Sequence, residues 1–209
     1  MSHRDTGLLA LLNQAALYRL LQRLLLRSST RRRVVRDILR PYPGCRILDI
    51  GCGPADILED LPGDIGAYHG FDMNPDYIEV ARRRWGPRGH FACQRMDEVA
   101  LPEQGSFDIV LAIGILHHLD DRDAGRLFGV AHHALRPGGR LVTYDNVYIE
   151  NQNPLARWLI ARDRGRAVRT REGYEALARQ LFPQVESDIL HDTLRLPYTI
   201  LAMRCVKTL

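Results

Sequence analysis

The stretch Arg46-Ile47-Leu48-Asp49-Ile50-Gly51-Cys52-Gly53-Pro54-Ala55-Asp56 constrains the chain more than any other. It opens as an apolar run, Ile47 to Ile50, of the kind that forms a strand buried on both faces in a parallel sheet. It then breaks into Gly51-Cys52-Gly53, where two glycines permit a sharp turn and a close ligand approach. Ile57, Leu58 and Leu61 predict a following helix whose first amides point back into the turn. Strand, glycine turn and helix make one mononucleotide-binding half-unit. A dinucleotide fingerprint would place a third glycine where Asp56 stands, so the pattern favours a nucleoside over a nicotinamide cofactor. Asp49 stands out because a carboxylate at the end of a buried strand is costly unless it is paired or hydrogen-bonded. It either serves the ligand or ties down turn amides.

The length, 209 residues, suits one domain, with helices over 1–42, a cofactor-binding core over 43–145 and a substrate-side segment with a closing hairpin over 146–209. The net charge of +4 is carried almost wholly by arginine, since Lys207 is the only lysine. Arginine suits planar carboxylates and phosphates, though genome composition explains such a bias equally well. Cys45, Cys52, Cys93 and Cys205 form no C-x-x-C pair and no metal spacing, which fits free thiols in a reducing cytoplasm. Residues 8–26 are leucine-rich, yet Asn13, Gln14, Arg19, Gln22 and Arg23 interrupt them. The expectation is therefore no membrane span and no signal peptide.

In chain order, residues 7–27 read as an amphipathic helix with Leu17, Leu21, Leu24 and Leu25 on one stripe. Ser28-Ser29-Thr30 reads as a break and an N-cap for a second helix over 31–40, stopped by Pro41-Tyr42-Pro43-Gly44. Strands are expected at 67–72, 90–96, 106–114, 140–144, 185–191 and 198–206. Helices are expected at 76–84, 123–135 and 171–182, with Arg136-Pro137-Gly138-Gly139 as a tight turn and 145–170 as the least regular stretch. Alternation of strand and helix implies parallel pairing by right-handed crossovers. Asp72 ends the second strand 19 residues after Gly53, the distance at which nucleoside-binding folds place a carboxylate against ribose hydroxyls. Asp97 follows the third strand, where it either reaches an adenine amino group or is a solvated loop acid.

The ordered set of motifs resembles class I S-adenosylmethionine-dependent methyltransferases, in the small-molecule group with a Leu-His-His-Leu segment after strand four. The set comprises Leu48-Asp49-Ile50-Gly51-Cys52-Gly53, Gly70-Phe71-Asp72, Asp97 five residues before Pro102, Phe107-Asp108-Ile109-Val110, Leu116-His117-His118-Leu119 and Leu135-Arg136-Pro137-Gly138-Gly139. The resemblance spans residues 43–145. It implies an α/β, Rossmann-like seven-stranded sheet with helices on both faces, the last strand antiparallel, and an N-terminal helical extension. It implies S-adenosylmethionine as cofactor: Gly51, Cys52 and Gly53 pass its methionine part, Asp49 lies beneath, and Asp72 holds the ribose. Met73 packs on the adenine, Asp97 and Glu98 meet its edge, and Ile113 lines the site. His117 and His118 would then lie near the methyl.

The chemistry this implies is in-line methyl transfer to a small-molecule acceptor, with oxygen first and nitrogen or carbon as alternatives. An oxygen nucleophile needs its proton removed, and a histidine suits that task; His117 is the first candidate and His118 the second, against a structural role for both. Asp145-Asn146 after strand five resembles a ligand pair of metal-dependent catechol methyltransferases, but Ile113 stands where those enzymes want an acid, so no metal is expected. Ala112-Ile113-Gly114-Ile115 replaces the Asn/Asp-Pro-Pro-Tyr/Phe motif of base N-methylation. Tyr148 and Arg164 are the substrate candidates, the arginines over 157–169 suiting an anionic acceptor or a solvated face. A nicotinamide oxidoreductase and a non-catalytic nucleoside- or RNA-binding module are the rivals. No RNA-binding motif supports a nucleic-acid partner.

Overall fold

The computed structural model describes residues 28–95, 104–162, 167–191 and 198–208. Residues 1–27, and with them the expected first helix, lie outside that set, as do Asp97, Glu98 and Arg164. The strands are β1 (Arg46–Ile50), β2 (Ala67–Asp72), β3 (His90–Cys93), β4 (Phe107–Ile113), β5 (Leu135–Asn146), β6 (Gln184–Leu190) and β7 (Ile200–Val206). They form one sheet in the order β3-β2-β1-β4-β5-β7-β6. β1 to β5 pair in parallel, while β7 runs antiparallel between β5 and β6. This is the seven-stranded Rossmann-like arrangement expected, with the closing hairpin inserted as foreseen.

The helices are α1 (Ser28–Arg33), α2 (Pro75–Trp85), α3 (Asp121–Ala134), α4 (Pro154–Arg162) and α5 (Arg171–Arg179). One face of the sheet packs Leu48, Ile50, Val110 and Leu141 against Ala124, Leu127, Phe128 and Ala131 of α3 and Tyr174 and Ala178 of α5. The other packs Ile47, Ile109, Leu111 and Val142 with Val35, Ile38, Leu58, Ile78 and Ala81. The central strands are apolar on both sides, as a sheet covered twice requires.

Six local expectations change. Ser28, Ser29 and Thr30 lie inside α1, which widens over Val34–Leu39 into a π-helical turn closed by the Arg40 amide on the Val35 carbonyl at 2.9 Å. The helix foreseen after the glycine turn is a single 3₁₀ turn, Asp56–Glu59. Ala55 before it is left-handed at φ 55° and Pro62-Gly63 follows closely, which leaves no room to propagate. β3 stops at Cys93 and β7 starts at Ile200. β5 extends back through 136–139, because Gly138 donates to the Lys207 carbonyl and Lys207 to the Gly139 carbonyl. The stretch 145–170 contains α4, started by Asn153, whose Oδ1 accepts from Leu155 and Ala156 ahead of Pro154 at the first helical position.

Candidate active site

The parallel strands point their carboxyl ends to one edge, where open α/β sheets bind ligands. At the end of β1, Gly51 has φ 73° and Gly53 φ 55°, left-handed conformations that glycine adopts without strain. The Gly51 and Cys52 amides donate to the Phe71 carbonyl at 2.9 and 3.0 Å, which folds the turn over the end of β2. Asp72 secures the same turn: Oδ2 accepts from the Gly53 amide at 2.9 Å and Oδ1 from the Asn74 amide at 2.8 Å. A carboxylate has about four lone-pair sites, so each oxygen keeps capacity for a ligand hydroxyl. Met73 follows with 71% of its surface exposed, a large apolar side chain uncovered beside that acid.

Asp49 is 4% exposed and accepts from the Tyr68 hydroxyl at 2.5 Å. Burial pushes its carboxyl up to about 7; the Tyr68 bond opposes this and the Asp72 charge adds to it. Burial also raises the Cys52 thiol, so it serves as neutral packing. Its Sγ occupies the space a side chain on Gly70 would need, 2.8 Å from a Cβ there. A Cβ on Gly53 would meet open space within 4 Å among the described residues.

The second half of the site lies at the ends of β4 and β5. Ile113 is half-buried and pairs with Tyr144 across the strands. Ile115 packs against the glycine turn, since a Cβ on Gly51 would lie 2.7 Å from its Cδ1. Leu116–His118 then form one 3₁₀ turn. His117 is buried while His118 is exposed, and their rings stack with centroids 4.0 Å apart. Asp145, 3% exposed at the end of β5, accepts on Oδ1 from the His117 amide at 3.2 Å and meets His117 Nδ1 at 2.8 Å. Its Oδ2 is buried with no hydrogen-bond partner among the described residues.

Arg169 fastens this turn. It donates to the carbonyls of Leu116, Ala167 and Leu119 and pairs with Asp121 at 2.7 Å. The other described arginines of the region do not converge. Arg157 lies over Tyr148, Arg162 over Trp158, and Arg171 pairs with Glu175. Tyr148, Arg157, Gln152, Thr170, Arg171 and Ile189 line an open groove of about 820 Å³. Neither histidine and no residue of the glycine turn lines it. The 167–169 segment intervenes, with the Ala167 amide on the His117 carbonyl and the Arg169 carbonyl accepting from Tyr148.

Sequence reasoning missed two partners. Tyr68 answers Asp49 and Asp145 answers His117. The signal for Asp145 was an acid directly after the apolar run of β5, in the position noticed only as half of a metal pair.

The residues present fit a sulfonium nucleoside. The turn carries no side chain at its closest-approach positions, an acid with spare acceptor capacity stands at the ribose distance, and an apolar side chain lies uncovered next to it. Comparison agrees. Residues 47–139 match the family described as a methyltransferase domain. An O-methyltransferase of Pyrenophora dematioidea is 32% identical over 160 residues, covering 68% of this chain and 59% of that protein. A ubiquinone biosynthesis O-methyltransferase of Xylella fastidiosa is 30% identical over 104 residues, 48% of this chain and 42% of that one. The chain thus spans about half the length of the curated relatives it matches. Haemonchus contortus phosphoethanolamine N-methyltransferase 2, solved with S-adenosyl-L-methionine, shares the fold with a TM-score of 0.71 at 18% identity over 87% of this chain and 53% of that one. Fold, motif order and family match converge on residues 47–139, which carry a methyltransferase domain of the class I, S-adenosylmethionine-dependent kind, with S-adenosylmethionine as its cofactor.

Proposed function

We propose that the protein moves the methyl group of S-adenosylmethionine to an oxygen atom of a small molecule. Bound at the glycine turn, the cofactor supplies an electrophilic methyl group on a sulfonium. The protein's share is then orientation, worth about 7–11 kcal/mol of barrier when the attacking atom is well placed. Gly51 and Gly53 let the backbone approach the cofactor, with Cys52 packed behind them. Asp72 accepts the ribose hydroxyls, Met73 covers one face of the base, and Ile113 forms an apolar wall. Asp49 offers a carboxylate beneath. Asp97 and Glu98 are assigned to the base edge by their order in the motif set. His117 removes the acceptor proton, with His118 stacked on it, and Tyr148 and Arg164 belong to the acceptor side.

One observation carries this reading. Ile115 packs on Gly51, and two residues later His117 turns its ring toward Asp145. A potential base is thereby tied to the very turn assigned to the cofactor. The oxygen acceptor is supported by the names of the two curated relatives above, both O-methyltransferases. A base on this side has a task when the acceptor is a hydroxyl and none when it is already ionised.

The test has two parts. Calorimetry should show S-adenosylhomocysteine binding that is lost or greatly weakened in Asp72→Ala. A labelled-methyl transfer screen should then find products among pooled hydroxylated metabolites. Absence of homocysteine-nucleoside binding, or preference for a nicotinamide dinucleotide or for RNA, would remove the reading.

A further inference from the structure

A guanidinium offers five N–H donors in a rigid fork, and burying any of them unanswered is costly. Arg169 leaves none idle, although its side chain is only 12% exposed. Nη1 donates to the Leu116 carbonyl at 3.2 Å and to the Ala167 carbonyl at 2.9 Å. Nη2 donates to the Leu119 carbonyl at 2.8 Å and to Asp121 Oδ1 at 2.7 Å, and Nε to the same oxygen at 3.0 Å. The guanidinium carbon lies over the Tyr174 ring, 5.5 Å from its centroid, and the Tyr174 hydroxyl donates to the Asn146 carbonyl at 3.1 Å. Water could answer the carbonyls of the 116–119 turn. What water cannot do is join them to a segment 50 residues further along the chain. That segment is held on its other side too: the Tyr148 amide donates to the Arg169 carbonyl at 3.0 Å, and Thr170 caps α5.

We infer that Arg169 is a positioning residue for methyl transfer, which holds the acceptor-side stretch around Tyr148 and Thr170 at a set distance from the 116–119 turn. This rests on the acceptor lying on the Tyr148 side, as proposed above, but on neither the atom methylated nor the identity of a base. Ile115, next to that turn, seats against Gly51, so the turn is referred to the cofactor cradle. The bridge between Tyr148 and Thr170 refers the other end of the strap to the acceptor. One guanidinium thus spans from the cofactor side to the acceptor side. In-line displacement needs the attacking atom aligned with the methyl, and a misplacement of about 1 Å costs about 10²-fold in rate. Lysine does not replace this fork, because three donors on a flexible point charge cannot answer three carbonyls and a carboxylate at once. The pair with Asp121 is the lesser part, since that carboxylate is 79% exposed. With every donor engaged, Arg169 has none left for an anionic acceptor. It places the acceptor through the segment it holds, not through its own charge.

The experiment uses the full chain. Amide hydrogen exchange of the ligand-free protein should find the Ala167 and Tyr148 amides protected in the wild type. In Arg169→Lys they should exchange at least about tenfold faster, with β1 and β4 unchanged. Turnover is followed with an acceptor from the transfer screen, whichever atom is methylated. Arg169→Lys should lower kcat about 10²-fold, while acceptor KM and S-adenosylhomocysteine affinity stay within about threefold. Asp121→Asn should lower kcat by no more than about fivefold. Guanidinium ion added to Arg169→Ala should restore part of kcat, and methylammonium, which has no planar fork, should restore none. Unprotected Ala167 and Tyr148 amides in the wild type overturn the inference however the variants fold. Wild-type kcat in Arg169→Lys overturns it and leaves methyl transfer standing. Equal losses of kcat and S-adenosylhomocysteine affinity make the arginine a general support of the fold and overturn it. A raised acceptor KM at wild-type kcat makes it a wall of the acceptor site and also overturns it. A wild type that binds no S-adenosylhomocysteine overturns the transfer reading and this role with it.

Discussion

The ends of β1 and β2 and the ends of β4 and β5 meet at one edge of the sheet but are built on different principles. The first pair makes its cradle from backbone. Asp72 accepts from two amides and the glycine turn donates to a carbonyl, so the acid holds the turn through main-chain bonds. The second pair makes its contact from side chains, a ring and a carboxylate that strand pairing brings together across 28 residues. Their buried acids differ in the same way. Asp49 faces a neutral phenol, and burial pushes it up to about 7. Asp145 faces a group able to become positive. A backbone cradle tolerates many side chains around it, whereas a side-chain pair tolerates almost none. Binding and turnover should therefore separate by mutation.

The largest effect tests that separation directly. His117→Gln should lower kcat roughly 10²–10⁴-fold while calorimetry finds S-adenosylhomocysteine affinity little changed. Equal losses in both would mean the two halves act as one. Asp72→Ala should do the reverse. Losing the acceptor of two amides and of the ribose should weaken S-adenosylhomocysteine about 100-fold, near 3 kcal/mol, as read by the same titration. A variant that binds normally but turns over slowly would exchange the roles of the two acids.

Asp49 sharpens the comparison through pH. Its folded value of about 7 lies above the ordinary 3.8, so between these values the folded chain holds a proton that the unfolded chain has released. Stability of the ligand-free protein from this group is therefore full below about pH 4 and falls as pH rises through 7, by an amount on the order of a few kcal/mol. Thermal unfolding of Asp49→Asn should show that decline flattened and a higher midpoint than wild type at pH 8. An unchanged pH profile would mean that the acid is better solvated than its 4% exposure implies. Gly51→Ala should cost about 1–2 kcal/mol in the same assay, from its positive φ and from displacing the end of Ile115. Arg157→Ala should have the smallest effect. Removing its stacking on Tyr148 is worth about 0.5–1 kcal/mol, a change of roughly two- to fivefold in acceptor KM and none in cofactor affinity.

The two halves were unequally legible. The cradle lies in contiguous residues, so Gly51, Gly53 and Asp72 announce themselves by spacing and residue type. The histidines were visible as a pair, but their partner was not. Asp145 stood in the sequence as a neighbour of Asn146, and nothing local pointed it at His117. The arginines between 157 and 169 read as one cluster, yet Arg157, Arg162 and Arg169 turn to three different partners. Side-chain direction on a short helix and its flanking turns is set by packing, which charge counting does not see. The helix α4 itself was missed although Asn153-Pro154 carries a start signal, because the arginines masked its short apolar face.

By itself the sequence determined the parallel core, through the alternation of buried runs and helices, and a nucleoside-sized turn with an acid at ribose distance. These are consequences of periodicity and of backbone conformations that few residues can adopt. Only the tertiary structure decided which histidine is buried, which acid it meets and which atom of its ring is left over. Those contacts depend on the lateral register of β4 against β5 and on Ile115 seating against Gly51. Register is fixed by the whole core at once, and no short stretch of the chain contains it.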